Sequence, residues 1–227
     1  MDTSVEAHSI HLQRLYDERF AGQHAYRNQV WKILTSRFFS RWISMTDTVL
    51  DLGCGYGEFI NNVQALRKLA MDLNPDAAKH VAGDVELVQH DCSTTWPIPA
   101  ASLDVVFTSN FLEHLLDKQQ VMSTLRNAFE CLQPGGRIVA IGPNIKYLPG
   151  EYWDFFDHLV PLTELSLSEA LVASGFVIEK CFGRFLPYTM SEGRKYPASF
   201  VSLYLRFRPA WRVLGKQFLV VAAKPET

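Results

Sequence analysis

The sequence predicts an α/β fold built around a mostly parallel sheet, and three observations lead to this class. From residue 48 onward, short and nearly continuous apolar runs alternate with stretches of helical periodicity. This alternation is typical of parallel strands that helices cover on both faces. A glycine-rich turn, Gly53–Gly57, follows the first apolar run. The length of 227 residues fits one α/β domain better than two.

Seven apolar runs are predicted as strands because each is short and bounded by turn or helix signals. In chain order they are Thr48–Leu52, Leu69–Leu73, Leu87–His90, Leu103–Thr108, Arg137–Gly142, Phe176–Phe182 and Gln217–Ala223. The sequence Gln133-Pro134-Gly135-Gly136 predicts a stop and a turn before the fifth strand.

Helices are predicted where apolar residues recur every three or four positions. Between the strands they are Glu58–Leu66, Asp76–His80, Lys118–Leu132 and Thr163–Ser174, with Thr163 or Ser166 as the cap of the last one. Residues 1–46 have helical spacing with a break near Gly22, so they are predicted to form an N-terminal helical cap. The domain at 47–227 carries a long insertion at about 183–215, whose second half is predicted as helical up to Pro209.

The composition excludes several classes of protein. Apolar residues make up 48% of the chain, which excludes a disordered protein. The net charge of −2 argues against broad binding to nucleic acid. The first 20 residues are too charged for a secretory signal, and no apolar stretch approaches the ~20 residues of a membrane span. Because the four cysteines include no C-x-x-C pair, a reduced, cytoplasmic protein is expected.

The segment 49–57 carries the strongest chemical signal. A buried strand delivers Asp51, and glycines then occupy positions 53, 55 and 57. Glycine permits positive φ angles and lets a ligand lie against bare backbone. The dinucleotide-binding pattern would need a glycine where this chain has Glu58, and the Gly-Lys-Ser/Thr of a P-loop is absent. Since Glu58 would repel a pyrophosphate, we expect a ligand with fewer negative charges than a dinucleotide.

Five motifs over about residues 48–143 resemble those of the class I S-adenosylmethionine-dependent methyltransferases. They are the D-x-G-x-G-x-G turn at 51–57, Asp72 after the second strand, Asp91-Cys92 after the third, the fourth strand at 103–107 and Leu132–Gly136 before the fifth. The resemblance implies a Rossmann-like three-layer sandwich with a seven-stranded, mostly parallel sheet and an antiparallel last strand. The core is similar to that of ubiquinone-pathway O-methyltransferases.

The same resemblance implies S-adenosylmethionine as the cofactor and S-adenosylhomocysteine as the product. It assigns the cofactor to Asp51, Gly53, Cys54, Gly55, Asp72, Leu73, Asp91, Cys92 and Asn110. Asp72 would accept the ribose hydroxyls, Asp91 would hold the adenine amine and Asn110 would face the methionine moiety. Taken singly, the glycine turn could be only a tight connection, and either acid could be only a helix cap.

The segment after the fourth strand, Ser109–Leu115, is the first candidate for acceptor chemistry. On a helix, Asn110, Glu113 and His114 would share one face. In the ubiquinone-pathway enzymes that this stretch resembles, an acid-x-x-Glu-His set binds a divalent metal. Asn110 replaces the first acid, and an amide is a weaker ligand, so no metal is expected. The alternative is that Glu113 and His114 hydrogen-bond within the surrounding loops.

The segment after the fifth strand, Glu151–His158, is the second candidate. His158 is the predicted catalytic base, ahead of His114, with Asp157 or Asp154 to orient it. Its aromatic neighbours Tyr152, Trp153 and Phe156 are predicted to form the wall of the acceptor site. The alternative is a packed aromatic cluster with His158 hydrogen-bonded inside.

The insertion at 183–215 combines basic and aromatic residues. Six basic residues stand against one acid, Glu192: they are Arg184, Arg194, Lys195, Arg206, Arg208 and Arg212. Such a surface suits an anionic acceptor, a phospholipid interface or a lipid-linked sugar. The alternative is a lid whose aromatic residues pack on the sheet while the arginines extend into solvent. At the other end of the chain, the N-terminal helices are predicted to cover the cofactor cleft, where Arg27 could reach the cofactor carboxylate.

The predicted function is methyl transfer from S-adenosylmethionine to an oxygen of a small molecule (EC 2.1.1.-), with sugars and glycolipid precursors as the expected acceptors. A second hypothesis is a cofactor-binding partner or sensor module without catalysis. An RNA or protein methyltransferase ranks lower, because Ser109–Leu112 lacks the two prolines of the Asn/Asp-Pro-Pro-aromatic signature. No nucleic-acid partner is expected, and peripheral contact with a membrane is left open.

Overall fold

The computed structural model describes residues 24–188 and 196–226. The strands are β1 Thr48–Leu52, β2 Arg67–Asp72, β3 Val85–Gln89, β4 Leu103–Ser109, β5 Leu132–Pro143, β6 Val177–Phe182 and β7 Gln217–Ala223. The α-helices are α1 His24–Arg37, α2 Lys118–Cys131, α3 Glu164–Ala173, α4 Ala198–Arg206 and α5 Arg208–Leu214. The predictions for residues 1–23 and for Arg194, Lys195 and Glu192 lie outside the described residues.

The seven strands form one sheet in the order β3-β2-β1-β4-β5-β7-β6. All pairs up to β5 are parallel, whereas β7 runs antiparallel to both β5 and β6. The predicted mostly parallel sheet with an antiparallel last strand is therefore confirmed. The strand order reverses between β1 and β4, which lie side by side, and ligands of open α/β sheets bind beyond the carboxyl ends of the strands at such a point.

Helices cover both faces of the sheet. Neighbouring strand residues face opposite sides: Leu50 joins a buried cluster with α2 and α3, while Val49 joins a second cluster with α1, α4 and α5. The insertion supplies Phe185 and Trp211 to the second cluster, where Phe185 stacks on Phe38 with ring centroids 4.7 Å apart. The result is the predicted three-layer sandwich. None of the helices in the described ranges is long and apolar enough to cross a membrane.

The predicted helix Glu58–Leu66 is wrong, since the structure has consecutive turns after Gly57 instead. Asn61 and Asn62 disfavour a helix here, because asparagine side chains compete with the helical backbone for hydrogen bonds. The Asn61 side chain donates to the carbonyl of His80 and accepts from the N–H of Ala82, at 2.8 Å each. These bonds tie the turn to the connection that precedes β3.

Two further boundaries differ from the predictions. A helix continues past Pro209, because this proline lies in the first turn of α5, where its missing N–H has no helical partner to lose. The strand β5 begins at Leu132, before the predicted turn, and Leu132 already pairs with Leu103. The pairing register shifts between Leu103 and Val105, and Gly135 takes a positive φ of 79°.

Candidate active site

The glycine turn after β1 is pressed between β2 and the segment that follows β4. Gly53, Gly55 and Gly57 have φ angles of 71°, 50° and 69°, which favour glycine. The N–H of Gly53 donates to the carbonyl of Met71 at 2.8 Å. A Cβ atom at Gly53 would lie 2.1 Å from the ring of Phe111, so no larger residue fits there without moving that ring.

Asp72 lies at the end of β2 and is hydrogen-bonded to this turn. One carboxylate oxygen accepts the N–H of Gly55 and the other accepts the N–H of Asn74, at 2.9 Å each. Burial raises the pKa of Asp72, although these hydrogen bonds oppose the shift. The helix-cap role that Asp72 might have had belongs to Asn74, whose side chain accepts the N–H of Asp76. Asp72 is therefore placed at the crevice with acceptor capacity that the next helical turn does not use.

Three acidic residues lie close to the glycine turn: Asp51, Glu58 and Asp72. Asp51 is buried, and desolvation raises its pKa well above the usual value, with Glu58 and Asp72 adding to the effect. Glu58 is paired with Arg27, whose Nε lies 2.7 Å from its carboxylate. Arg27, predicted to reach a cofactor carboxylate, thus contacts the protein's own Glu58.

The other residues predicted to bind the cofactor differ in burial and in their hydrogen bonds. Asp91 accepts both the N–H and the hydroxyl of Ser93, at 2.9 and 2.8 Å. The Cys92 side chain is buried in the core and accepts the hydroxyl of Thr124, so only its main chain could contact a cofactor. Cys54 is also buried in the core, whereas Leu73 is exposed.

Asn110 combines strain with an unpaired polar atom. Its φ is +50°, which is uncommon for a residue with a side chain, and its N–H donates to the carbonyl of Ile141. The side-chain nitrogen contacts the hydroxyl of Ser109, but the buried Oδ1 has no hydrogen-bond partner. Because both features are costly, they are typical of positions that a ligand completes.

Glu113, His114, Asp157 and His158 come together beyond the end of β4. Nδ1 of His114 lies 2.9 Å from the carbonyl oxygen of Asp157 and 3.3 Å from its carboxylate. Nδ1 of His158 lies 2.9 Å from the carbonyl oxygen of Tyr152. If each Nδ1 donates to its oxygen neighbour, the neutral ring carries its lone pair on Nε2, as a general base requires. The carboxylate of Asp157 thus lies against His114, and a carbonyl contacts His158.

Glu113 is a buried acid of this cluster whose pKa is raised. It is 2% exposed, its Oε1 has no hydrogen-bond partner, and burial raises its pKa from 4.5 to about 7. The charge of Asp157 also raises the pKa, while His114 lowers it. Sequence reasoning placed Glu113 beside His114 but did not select it as a site residue, because burial cannot be read from the local pattern.

We expect Glu113→Gln to gain stability relative to the wild type as the pH rises from 5 to 8. The folded protein keeps the Glu113 proton up to a pH of about 7, whereas the unfolded chain releases it near 4.5, so the wild type loses stability through this window. The expected relative gain is up to about 3 kcal/mol of unfolding free energy. Urea titrations at both pH values measure it, with the exposed Glu130→Gln as control. A pH-independent difference would contradict the assignment.

The three aromatic residues predicted to form the acceptor wall differ in their exposure. Tyr152 is fully buried, donates its hydroxyl to the carbonyl of Val160 and packs on His158. Trp153 lies edge-on to Tyr152 with ring centroids 5.1 Å apart and is 55% exposed, while Phe156 is 81% exposed. Phe155, which was not selected, stacks on His158 instead, with centroids 4.9 Å apart.

One group among the described residues could hold a metal ion. Glu113, His114 and His158 each offer a ligand atom, and these atoms lie within 4.8 Å of one another. This set of possible ligands contains His158, whereas the set considered from the sequence contained Asn110 together with Glu113 and His114. The carbonyl contacts to both imidazoles are also those that orient metal-bound histidines, so the geometry accommodates either a base or a ligand.

The sheet order, the glycine turn and the acid at the end of β2 define a class I S-adenosylmethionine-dependent methyltransferase fold. Residues 50–140 match the methyltransferase domain family. Over 143 residues the chain is 33% identical to a probable S-adenosylmethionine-dependent methyltransferase of Mycolicibacterium smegmatis, covering 60% of this chain and 54% of that protein. Together, the fold and these matches identify residues 50–140 as a methyltransferase domain within the fold of the class I S-adenosylmethionine-dependent methyltransferases.

Two further comparisons give the extent of the likeness. The 27-O-demethylrifamycin SV methyltransferase of Amycolatopsis mediterranei is 30% identical over 103 residues, which are 40% of this chain and 37% of that one. The solved structure of a SAM-dependent methyltransferase from Archaeoglobus fulgidus has a TM-score of 0.67 at 21% identity, covering 93% of this chain and 99% of the other. The chain spans about half the length of the first curated relatives that it matches.

Proposed function

We propose that this protein transfers a methyl group from S-adenosylmethionine to an oxygen of a small molecule, in the class of sugars, glycolipid precursors or similar metabolites. The observation that carries the proposal is the crevice beyond β1, β2 and β4, where the carboxylate of Asp72 and the unpaired Oδ1 of Asn110 are both acceptors. The residues fit S-adenosylmethionine, whose ammonium and ribose hydroxyls are donors and whose sulfonium is cationic.

Several residues would hold the cofactor. Asp72 would accept the ribose hydroxyls, Asp91 the adenine amine and Asn110 the ammonium of the methionine moiety. The turn at Gly53–Gly57 brings bare backbone to the crevice, and the buried Asp51 supports it by accepting the N–H of Ile60. When bound, the cofactor supplies an electrophilic methyl group on a sulfonium that is already a good leaving group.

The protein's own contribution is then to orient the acceptor and to remove its proton. Methyl transfer is in line, so fixing the acceptor oxygen opposite the leaving group lowers the barrier by up to several kcal/mol. We assign the base to His158, which the carbonyl of Tyr152 and the ring of Phe155 hold in place. His114, held by Asp157, is the second choice for the base. An oxygen acceptor gains from such a base, whereas an amine needs less help.

One relative supports an oxygen acceptor by its name, since the Amycolatopsis mediterranei protein is a 27-O-demethylrifamycin SV methyltransferase. The region of identity with it is 103 residues long. Its acceptor is not assigned to this chain; the support extends to the acceptor atom alone.

The proposal is tested with S-adenosyl-[methyl-³H]methionine and extracts of the source cell, partitioned between organic and aqueous phases. We expect label in a small product that resists mild acid and base as a methyl ether does, in the organic phase for a lipid-linked acceptor and in the aqueous phase for a sugar. Label in protein or RNA would overturn the small-molecule assignment. Absence of transfer despite donor binding would favour a non-catalytic module. Transfer that EDTA abolishes would contradict the expectation that no metal is needed.

A further inference from the structure

The helix α4 is apolar on two opposite sides. Leu205 is buried in the core, and Val201 packs against the same cluster. Phe200 and Leu203 lie three residues apart on the far side, and Phe207 follows at the C-cap; these side chains are 62%, 64% and 57% exposed. A helix with an apolar core-facing side ordinarily carries polar residues on the other. The outer side of α4 is therefore an exposed apolar stripe, which is typical of a contact surface.

Arginines surround this stripe without acidic neighbours in the sequence. Residues 196–216 contain no Asp or Glu, while Arg206, Arg208 and Arg212 are all exposed. No ion pair between described residues involves any of these three arginines. Arg41 lies close enough to Arg208 for their charges, together with burial, to lower the pKa of Arg41. Guanidinium groups that pair with no acid in the described part of the chain favour an anionic partner.

A groove between α1 and α4 adjoins the stripe. It is lined by Ile33, Arg37, Ala198, Ser199, Ser202, Leu203 and Arg206. Arg37 donates to the hydroxyl of Ser202 at 3.2 Å, so one guanidinium already points along the groove. Two arginines and two serine hydroxyls form a donor set that suits phosphate oxygens. Leu203 belongs both to this groove and to the apolar stripe, and it joins the polar and apolar parts into one surface.

We propose that the surface formed by α4 and α5, defined by Phe200, Leu203, Arg206, Phe207, Arg208 and Arg212, docks onto an anionic phospholipid bilayer. The apolar stripe would enter the boundary between headgroups and acyl chains, and the arginines would contact the phosphates. Charge complementarity selects this partner, because an exposed apolar stripe beside arginines that form no ion pair with another described residue is the pattern of interfacial helices. The inference does not depend on methyl transfer, and it would bring the domain to lipid-linked molecules.

Vesicle flotation tests the proposal with the full chain. We expect binding to vesicles of phosphatidylcholine mixed with phosphatidylglycerol, little binding to phosphatidylcholine alone, and release as the salt concentration rises. Arg206→Gln with Arg208→Gln should weaken binding about fivefold per arginine. Phe200→Ser with Phe207→Ser should weaken it further. Lys118→Gln with Arg126→Gln and Leu165→Ser with Val172→Ser, which alter exposed residues of α2 and α3, should leave binding unchanged.

Three results would overturn the proposal. The first is no binding to the anionic vesicles, or equal binding to neutral ones. The second is binding that the α4–α5 variants and their controls weaken equally while circular dichroism shows all of them folded. The third is a concentration-dependent dimer, seen by light scattering, that the phenylalanine variants disrupt without any vesicle binding, because the surface would then join copies of the chain.

Discussion

Replacing Asp72 with alanine is expected to lower the affinity for S-adenosylmethionine by at least about hundredfold. The carboxylate is the proposed acceptor of both ribose hydroxyls, and each hydrogen bond to a charged group contributes about 1.5–3 kcal/mol. The same side chain holds the N–H groups of Gly55 and Asn74, so its loss also loosens the glycine turn. Isothermal titration calorimetry measures the change directly.

Two matched variants make this result interpretable. Asp84→Ala removes an exposed carboxylate on the connection before β3 and should leave the affinity unchanged. Asp72→Asn keeps the size of the side chain and one acceptor oxygen, so it can accept only one of the N–H groups of Gly55 and Asn74. It therefore loosens the turn less than Asp72→Ala while it also removes the charge at the ribose contact. Asp72→Ala protein that is folded by circular dichroism and binds with wild-type affinity would refute the cofactor role of Asp72.

The second large effect is expected at His158. His158→Gln should reduce kcat by about 10²–10⁴-fold, the range for loss of a general base, while the affinity for S-adenosylmethionine stays the same. Glutamine preserves much of the volume that packs against Tyr152 and Phe155, so the fold should survive. Single-turnover transfer of labelled methyl to the acceptor found in the extract assay measures the loss.

His114→Gln identifies the base by comparison, since His114 lies 5.0 Å from His158 between ring centroids and shares its surroundings. A smaller loss in this variant supports His158 as the base, and a larger one transfers the role to His114. The exposed His80→Gln serves as the control for general effects of histidine replacement. Wild-type turnover in His158→Gln would exclude His158 as the base.

The sheet could be predicted almost completely because its information is local. The inner strands β1 and β7 are buried on both faces, so they stand out as apolar runs, and their bounds agree with the predictions. The edge strands β3 and β6 are only partly buried. The N-cap of α3 could also be predicted from the sequence, which offered Thr163 or Ser166. Thr163 is the cap, and it forms a capping box with Ser166. The prediction of a helix after Gly57 was wrong. The Asn61 side chain hydrogen-bonds to the connection before β3, and this contact between separate segments cannot be read from the local sequence.

The site could be predicted as a set of positions but not as a set of contacts. That Arg27 pairs with Glu58, or that Phe111 lies over Gly53, depends on segments distant in sequence packing together. The positive φ of Asn110 has no clear sequence signal, because asparagine is common in many turns. The raised pKa of Glu113 follows from burial in the folded protein, which no pattern of neighbouring residues determines.

The most direct test of the account is a calorimetric titration of the wild-type protein with S-adenosylmethionine, alongside NAD as a pyrophosphate-bearing nucleotide. We predict saturable binding of S-adenosylmethionine at one site per chain, with a Kd of about 1 µM to 1 mM, and no binding of NAD. The acceptors on Asp72 and Asn110 suit the donors of S-adenosylmethionine, and the Asp72 carboxylate disfavours a pyrophosphate. Binding of NAD, or no binding of S-adenosylmethionine by folded protein, would contradict the central claim.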